Sequence, residues 1–446
     1  MTYVEIILFL VNICSRWHWP SEKALNMFLR AEIVLFINNA ANPELKQGVP
    51  ALFLENRDKL DLFEEPTRFL GERYVRSGST PSPHTWAKAA YGLKSWFQFL
   101  QAIDRDWQNA SEQDRVDFRD AYLGSISQKT GRAYGAAGVR DAMVVVRAFY
   151  RHCTDRGAYH GDIGASSVAA EYKVQIDRDA LAHTRSASVI GSRDRALPKV
   201  RPGVKIHPLT PRDLKNLLRH VGPQAGARDG DQRLARDRLI CDLGWAVGLR
   251  LNEINSLTTL QFMTLSPDRC APFVGMALTI LHGKGSKTRQ VMIPAWLVMD
   301  VHAYMEGERA ASLRACKSRH APTRLLLGHE HSGSAGRPVT NAALQKMFRE
   351  ACLTLGLVEI VEKTDPETGA RFTYKTPRHS MHDLRHSYAV LTYHAERGSG
   401  NAEPWKKIQA QLGHRNLQTT IDTYLSHVEI FTDQPGLLDV RKMLGL

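Results

Sequence analysis

A short C-terminal stretch of the chain concentrates side chains suited to phosphate. His382-Asp-Leu-Arg385-His386 is followed by Gly413-His414 and then by Tyr424, ten positions after His414. Displacement at phosphorus asks a protein mostly for positioning and for fixed positive charge against the non-bridging oxygens. An arginine fork donates two parallel hydrogen bonds to a phosphate and stays charged at any working pH. A tyrosine hydroxyl can attack and store the bond as a phosphotyrosyl ester, which a second hydroxyl later attacks, so nothing is hydrolysed. Together these groups could cut and rejoin a nucleic-acid backbone without a metal.

The same segment carries a competing pattern. His382 and His386 have the i, i+4 spacing of a zinc-protease helix, with Asp383 where the general-base glutamate would stand. The shorter Asp383 reaches less far, Arg385 between the histidines repels a dication, and no third ligand is evident downstream. No metal and no cofactor are therefore expected. Farther upstream, Arg250 closes Ala246-Val-Gly-Leu-Arg and precedes Glu253 by three positions, so Glu253 could orient the guanidinium or merely pair with it. His282-Gly-Lys284-Gly-Ser-Lys287-Thr-Arg289 reads as a hairpin turn between apolar strands, where an exposed lysine commonly serves solubility.

Taken in order, these motifs resemble the catalytic domain of the tyrosine recombinase (phage integrase) family. That domain carries an arginine in a GLR segment with a glutamate one turn on, a lysine in a Gly-Lys-Gly hairpin, an H-x-x-R helix, an LGH histidine and a tyrosine shortly after. The likeness covers roughly Ile206 to Val428. It implies that Arg250 and Arg385 clamp the phosphate, His382 is acid and base, His414 hydrogen-bonds the transition state and Tyr424 is the nucleophile. Lys284 becomes the general acid, in preference to Lys287 in the same turn, with Glu253, Asp383 and Lys287 as supporting groups and His386 structural. The implied activity is site-specific recombination or integration through a 3′-phosphotyrosyl intermediate. The partners would be double-stranded DNA and a homotetramer on paired sites, with accessory proteins possible. A non-catalytic DNA-binding protein on the same fold is the alternative.

Composition suits a polyanionic partner: 59 Lys+Arg against 46 Asp+Glu leave a formal charge of +13 over 446 residues. The six cysteines are scattered without a C-x-x-C pair, as in a cytoplasmic protein with reduced thiols. The apolar run from Val4 to Cys14 is too short to span a bilayer, contains Glu5 and Asn12 and lacks a preceding basic residue, so no membrane association is expected. A cytoplasmic, nucleoid-associated protein of bacterial or phage origin is the expected setting.

The elements that must position this chemistry divide the chain into five parts. Residues 1–59 form an extension of unknown role with a possible helix from Ser21 to Asn38. Residues 60–160 show helical periodicity, for instance Ala90, Leu93, Phe97 and Leu100, and caps are expected at Thr85 and at Ser111 with Asp114. Val139 to Tyr150 turns Met143, Val146 and Tyr150 inward and leaves Arg140, Arg147 and Arg151 outward; Trp86, Trp96 and Trp107 read as core. This part resembles the family's helical core-binding domain, which joins the catalytic domain in a C-shaped DNA clamp. Residues 161–205 read as an exposed, basic linker. Residues 206–430 open on Thr210-Pro211-Arg-Asp213 and alternate helices near 210–220, 232–249, 339–356, 382–396 and 403–412 with a β-region at 274–293. The expectation is a mainly α, α+β catalytic domain with a small antiparallel β-region. Pro366 to Ala370 looks like an inserted turn. Residues 431–446 carry Leu437, Leu438, Val440, Met443 and Leu444 at helical spacing, a tail for docking on a neighbouring subunit or on its own domain.

Overall fold

A computed structural model describes residues 32–37, 48–56, 59–77, 82–127, 130–164, 194, 196–200, 206–281, 288–316, 322–365, 368–414 and 416–428. The described residues are mostly helical with three small sheets, and the chain divides into two compact units: Met1–Pro202 with Glu362–Phe372, and Gly203–Val361 with Thr373–Leu446.

In the first unit, strands β1 (Glu32–Ile37), β2 (Pro50–Asn56) and β3 (Lys59–Leu62) form an antiparallel meander. It crosses the boundary expected at residue 59. The helix expected to reach Asn38 is instead a strand over 32–37, because Glu-Ile-Val-Leu-Phe-Ile is rich in β-branched and aromatic residues and finds β2 as a partner. Residues 21–31 lie outside the described set. Ile33 and Leu52 join the core formed by helices α1 (Glu64–Leu70), α2 (Pro83–Ala102), α3 (Glu112–Gly124) and α4 (Ala136–Asp155).

Helix α2 buries Trp86, Ala90, Leu93, Trp96, Phe97 and Leu100, one stripe of a 3.6-residue repeat. It starts at Pro83, with Ser82 as N-cap, rather than at Thr85, since the ring of Pro83 pre-sets the first helical φ. The cap expected at Ser111 is a reciprocal box, in which the Asp114 carboxylate accepts from the Ser111 amide at 2.8 Å. Trp107 is only partly buried. Within the expected exposed linker, the Asp194 side chain and Ala196 are instead buried. The cause is charge: the wholly buried Arg115 of α3 needs a counter-ion, and the Asp194 carboxylate supplies it while also taking Arg147 at 3.3 Å. Arg140 and Arg151 lie exposed on the outer face of the helix.

The second unit opens at α5 (Pro211–Val221), whose N-cap Thr210 accepts from the Asp213 amide at 3.1 Å. Helix α6 (Ala235–Trp245) ends earlier than the apolar pattern suggests, because the chain turns out at Gly248 and restarts as α7 (Leu251–Ser256) with Arg250 at the N-cap. Helix α8 (Leu260–Met263) leads to the hairpin of β4 (Gly275–Ile280) and β5 (Arg289–Pro294), paired from Gly275↔Pro294 to Ile280↔Arg289.

Helices α9 (Ala295–Tyr304) and α10 (Ala310–Ala315), joined by a π-helical stretch, are not evident from periodicity because their apolar residues show no one-sided stripe. Glu308 between them is buried and accepts the Ala235 amide at 2.9 Å, capping α6 from a distance. Helix α11 (Asn341–Thr354) precedes strands β6 (Val358–Thr364) and β7 (Arg371–Pro377), which flank the expected turn at 366–370. Helices α12 (Met381–Gly398), α13 (Pro404–Leu412) and α14 (Leu417–Val428) complete the unit; α12 lies between α6 and the last two helices. The tail from residue 429 lies outside the described residues. No described helix is long and apolar enough to cross a membrane.

One buried acid in this core makes a stability prediction. Asp300 of α9 accepts the Gly226 amide at 3.0 Å on Oδ1, while Oδ2 has no partner, and burial pushes its carboxyl up to about 6. A raised folded value stabilises below the ordinary carboxylate range and loses that contribution as pH rises through 6. The loss is at most about 3 kcal/mol. Asp300→Asn is expected to melt above wild type at pH 8, with the gap closing below pH 4; a lower midpoint at pH 8 would count against this account.

Candidate active site

Two glycines create the space for the site. Gly248 sits at φ +74°, and a Cβ there would come within 2.8 Å of Leu412 and Tyr388 side-chain carbons. Gly413 ends α13 at φ +64°, and a Cβ there would meet Arg289 at 2.8 Å. Each lets the backbone approach closely where an arginine must be held.

Arg385, on the second turn of α12, is 1% exposed. Its two terminal nitrogens donate to the Gly248 and Leu412 carbonyls, each at 2.5 Å, so one guanidinium ties the α6–α7 turn to the end of α13. Burial, reinforced by Arg250, pulls its pKa down to about 9, which leaves it protonated at neutral pH. Arg250 donates to Glu253 at 2.9 Å through both its backbone amide and its Nη1. Glu253 is 1% exposed and also accepts Arg289 at 2.8 Å. Burial raises the Glu253 carboxyl, but the Arg250 amide and the guanidiniums of Arg289, Arg250 and Arg385 more than offset it, and the net shift is downward.

Arg289 was not among the candidates that the sequence suggests. It donates to the Gln411 carbonyl besides Glu253. The signal was available: along β5, Val291 and Ile293 point inward, and the two-residue repeat puts Arg289 on their side. Gln411 was also missed. Its amide bonds the Val247 carbonyl at 3.0 Å and the Met292 carbonyl at 2.8 Å and accepts the Met292 amide at 2.9 Å, stapling β5 to the GLR turn.

His414 follows the α13 cap. Its Nδ1 is 2.9 Å from the Thr420 hydroxyl and its Nε2 is 3.5 Å from Arg385. Burial, then Arg385 and Arg250, hold it down to about 4. Tyr424 of α14 lies near it with the two rings almost parallel, centroids 6.4 Å apart, and its hydroxyl is 3.1 Å from His386 Nδ1. Burial pushes the phenol up to about 12. His382, exposed on the first turn of α12, stands perpendicular to His386 at 4.7 Å; desolvation of its inner side and Arg385 lower its pKa.

The structure thus gathers Arg250, Glu253, Arg385, His382, His414 and Tyr424. Asp383 serves the scaffold: it accepts the Ser380 amide at 2.8 Å and the His207 amide at 3.0 Å, closing the α12 N-terminus. Its carboxylate is spent there, and no group of three metal-ligating side chains occurs among the described residues. Lys284 and Lys287 lie outside the described residues. Chemically, two guanidiniums pair with a single carboxylate and a third lies within electrostatic reach of it, next to imidazoles whose protonation burial and those guanidiniums disfavour and a phenol. That excess of positive charge is suited to an anion.

Residues 207–429 match the Phage integrase family. The tyrosine recombinase XerC of Halalkalibacterium halodurans is 28% identical over 195 residues, covering 44% of this chain and 52% of that protein. XerC of Mycobacterium bovis is 27% identical over 309 residues, covering 68% of this chain and 86% of that one. The chain spans about half the length of the first of these curated relatives. Among solved structures, a lambda integrase dimer bound to a COC′ core site aligns at a TM-score of 0.47 with 13% identity, covering 80% of this chain and 75% of that one.

Proposed function

Because the chain belongs to the phage integrase family, we propose that it is a site-specific DNA recombinase or integrase acting through a 3′-phosphotyrosyl intermediate. The observation that carries this reading is the pairing of Glu253 with Arg250 and Arg289, with Arg385 within electrostatic reach, beside Tyr424 and His414. A phosphodiester supplies the negative charge this cluster lacks. Its arrival also offsets the burial and the guanidinium charge that hold the His414 pKa down, so this imidazole gains a proton to donate when substrate binds, while His382, lowered by burial and by Arg385, stays free to accept one.

In the proposed cycle the Tyr424 oxygen attacks phosphorus and the bond to the 5′ oxygen breaks. His382 takes the phenol proton and Lys284 delivers one to the departing oxygen. Arg250 and Arg385 hold the non-bridging oxygens, and His414 donates to them in the transition state. A 5′-hydroxyl from the partner duplex then attacks the phosphotyrosyl ester and restores the backbone. Residues 60–160 act as the core-binding domain and 206–430 as the catalytic domain. The working form is a homotetramer on paired duplex sites in the cytoplasm.

A randomised library of nicked suicide duplexes tests this: the wild-type chain should become joined to a 3′-phosphate and release a free 5′-hydroxyl end. Recovery of bound but never covalently joined DNA would support a non-catalytic DNA-binding protein instead. The reaction is expected to run at the same rate, within about twofold, after exhaustive chelation. Loss on chelation with rescue by a divalent cation would overturn metal independence.

A further inference from the structure

The Tyr424 hydroxyl points at a group that the proposed cycle does not use. His386 lies one position after Arg385 on α12, itself buried, and its Nδ1 is 3.1 Å from the phenol oxygen. Burial, and the His382 ring next to it, keep this imidazole neutral well below the usual histidine range. With its proton on Nε2, this neutral imidazole accepts a hydrogen bond from the phenol at Nδ1 rather than taking its proton. Tyr424 is 1% exposed, whereas the Arg250 side chain is 25% exposed. A phosphate can reach the second but not the first, since attack needs a phenol oxygen about 3–3.5 Å from phosphorus along an open line.

We infer that His386 is a positioning residue that holds the nucleophile hydroxyl in a buried rest position, from which Tyr424 must be released before strand cleavage. This rests on the reading of Tyr424 as the nucleophile. The His386–Tyr424 hydrogen bond joins α12 to α14 and must break for release, so it sets how often the phenol is available. It does not supply base strength.

The test uses the full chain with meta-fluorotyrosine at position 424, observed by fluorine NMR without DNA, together with single-turnover cleavage of a captured suicide duplex. His386→Phe, which lacks an acceptor, should move and narrow the resonance and speed cleavage about 3- to 10-fold. His386→Asn, whose amide oxygen can stand near the Nδ1 position, should restore the wild-type resonance and rate. An unchanged resonance in His386→Phe, or cleavage slowed alike in both variants while thermal midpoints stay at wild type, would overturn the inference. The resonance reports the His386–Tyr424 bond whatever the nucleophile is, and the nucleophile assignment fails separately if Tyr424→Phe still forms the adduct.

Discussion

Tyr424→Phe is expected to abolish covalent capture of DNA, by at least about ten-thousandfold, while leaving non-covalent DNA affinity within about twofold of wild type. The substitution removes a single oxygen. The ring keeps its place against His414, and in the resting protein the change deletes just the hydrogen bond to His386, worth about 1 kcal/mol. A folding defect is therefore a poor explanation for lost activity. The readout is a denaturing gel of suicide-duplex reactions beside a filter-binding isotherm. Capture by Tyr424→Phe at the wild-type rate would remove Tyr424 from the chemistry, and no other described tyrosine in the last three helices stands beside His414 in its place.

Arg385→Lys is expected to slow cleavage a hundred- to a thousandfold at saturating DNA and to lower stability by about 1–3 kcal/mol. Lysine keeps the positive charge but loses the planar fork. One ammonium cannot replace the two nitrogens that donate to the Gly248 and Leu412 carbonyls and still face a phosphate. The site is also harsher for lysine, because burial that brings an arginine down to about 9 acts on a group that starts lower. The slowed rate should therefore fall further as pH rises from 7 to 8, a range in which the wild-type Arg385, at about 9, keeps its charge. Single-turnover rates across that range, with thermal midpoints alongside, measure both effects. Unaltered cleavage would mean that charge alone, not fork geometry, serves the phosphate.

Much of the scaffold could be read along the chain because its determinants are local. The Ser111–Asp114 box and the Thr210-Pro211-Asp213 start depend on side chains three positions from the amide they cap, and the buried stripe of α2 repeats every helical turn. Misreadings arose where a local preference met a partner far away. Glu32–Ile37 became a strand because β2 was there to pair with it, and Asp194 was buried because Arg115, 79 positions earlier, required it.

Residue type, motif order and one-turn spacing within the chain were enough to single out Arg250 with Glu253, the His382–Arg385 pair, His414 and Tyr424, and to suggest a phosphate chemistry for them. Their relationships came from tertiary structure alone. The partners of Arg385 lie 137 and 27 positions away, Arg289 reaches Glu253 across 36, and the Tyr424 hydroxyl meets His386 across 38. Periodicity reports only which residues share a face of one element. Which carbonyl, carboxylate or imidazole then stands opposite is decided by how the elements pack, so the charge of the site was legible in the chain and its resting geometry was not.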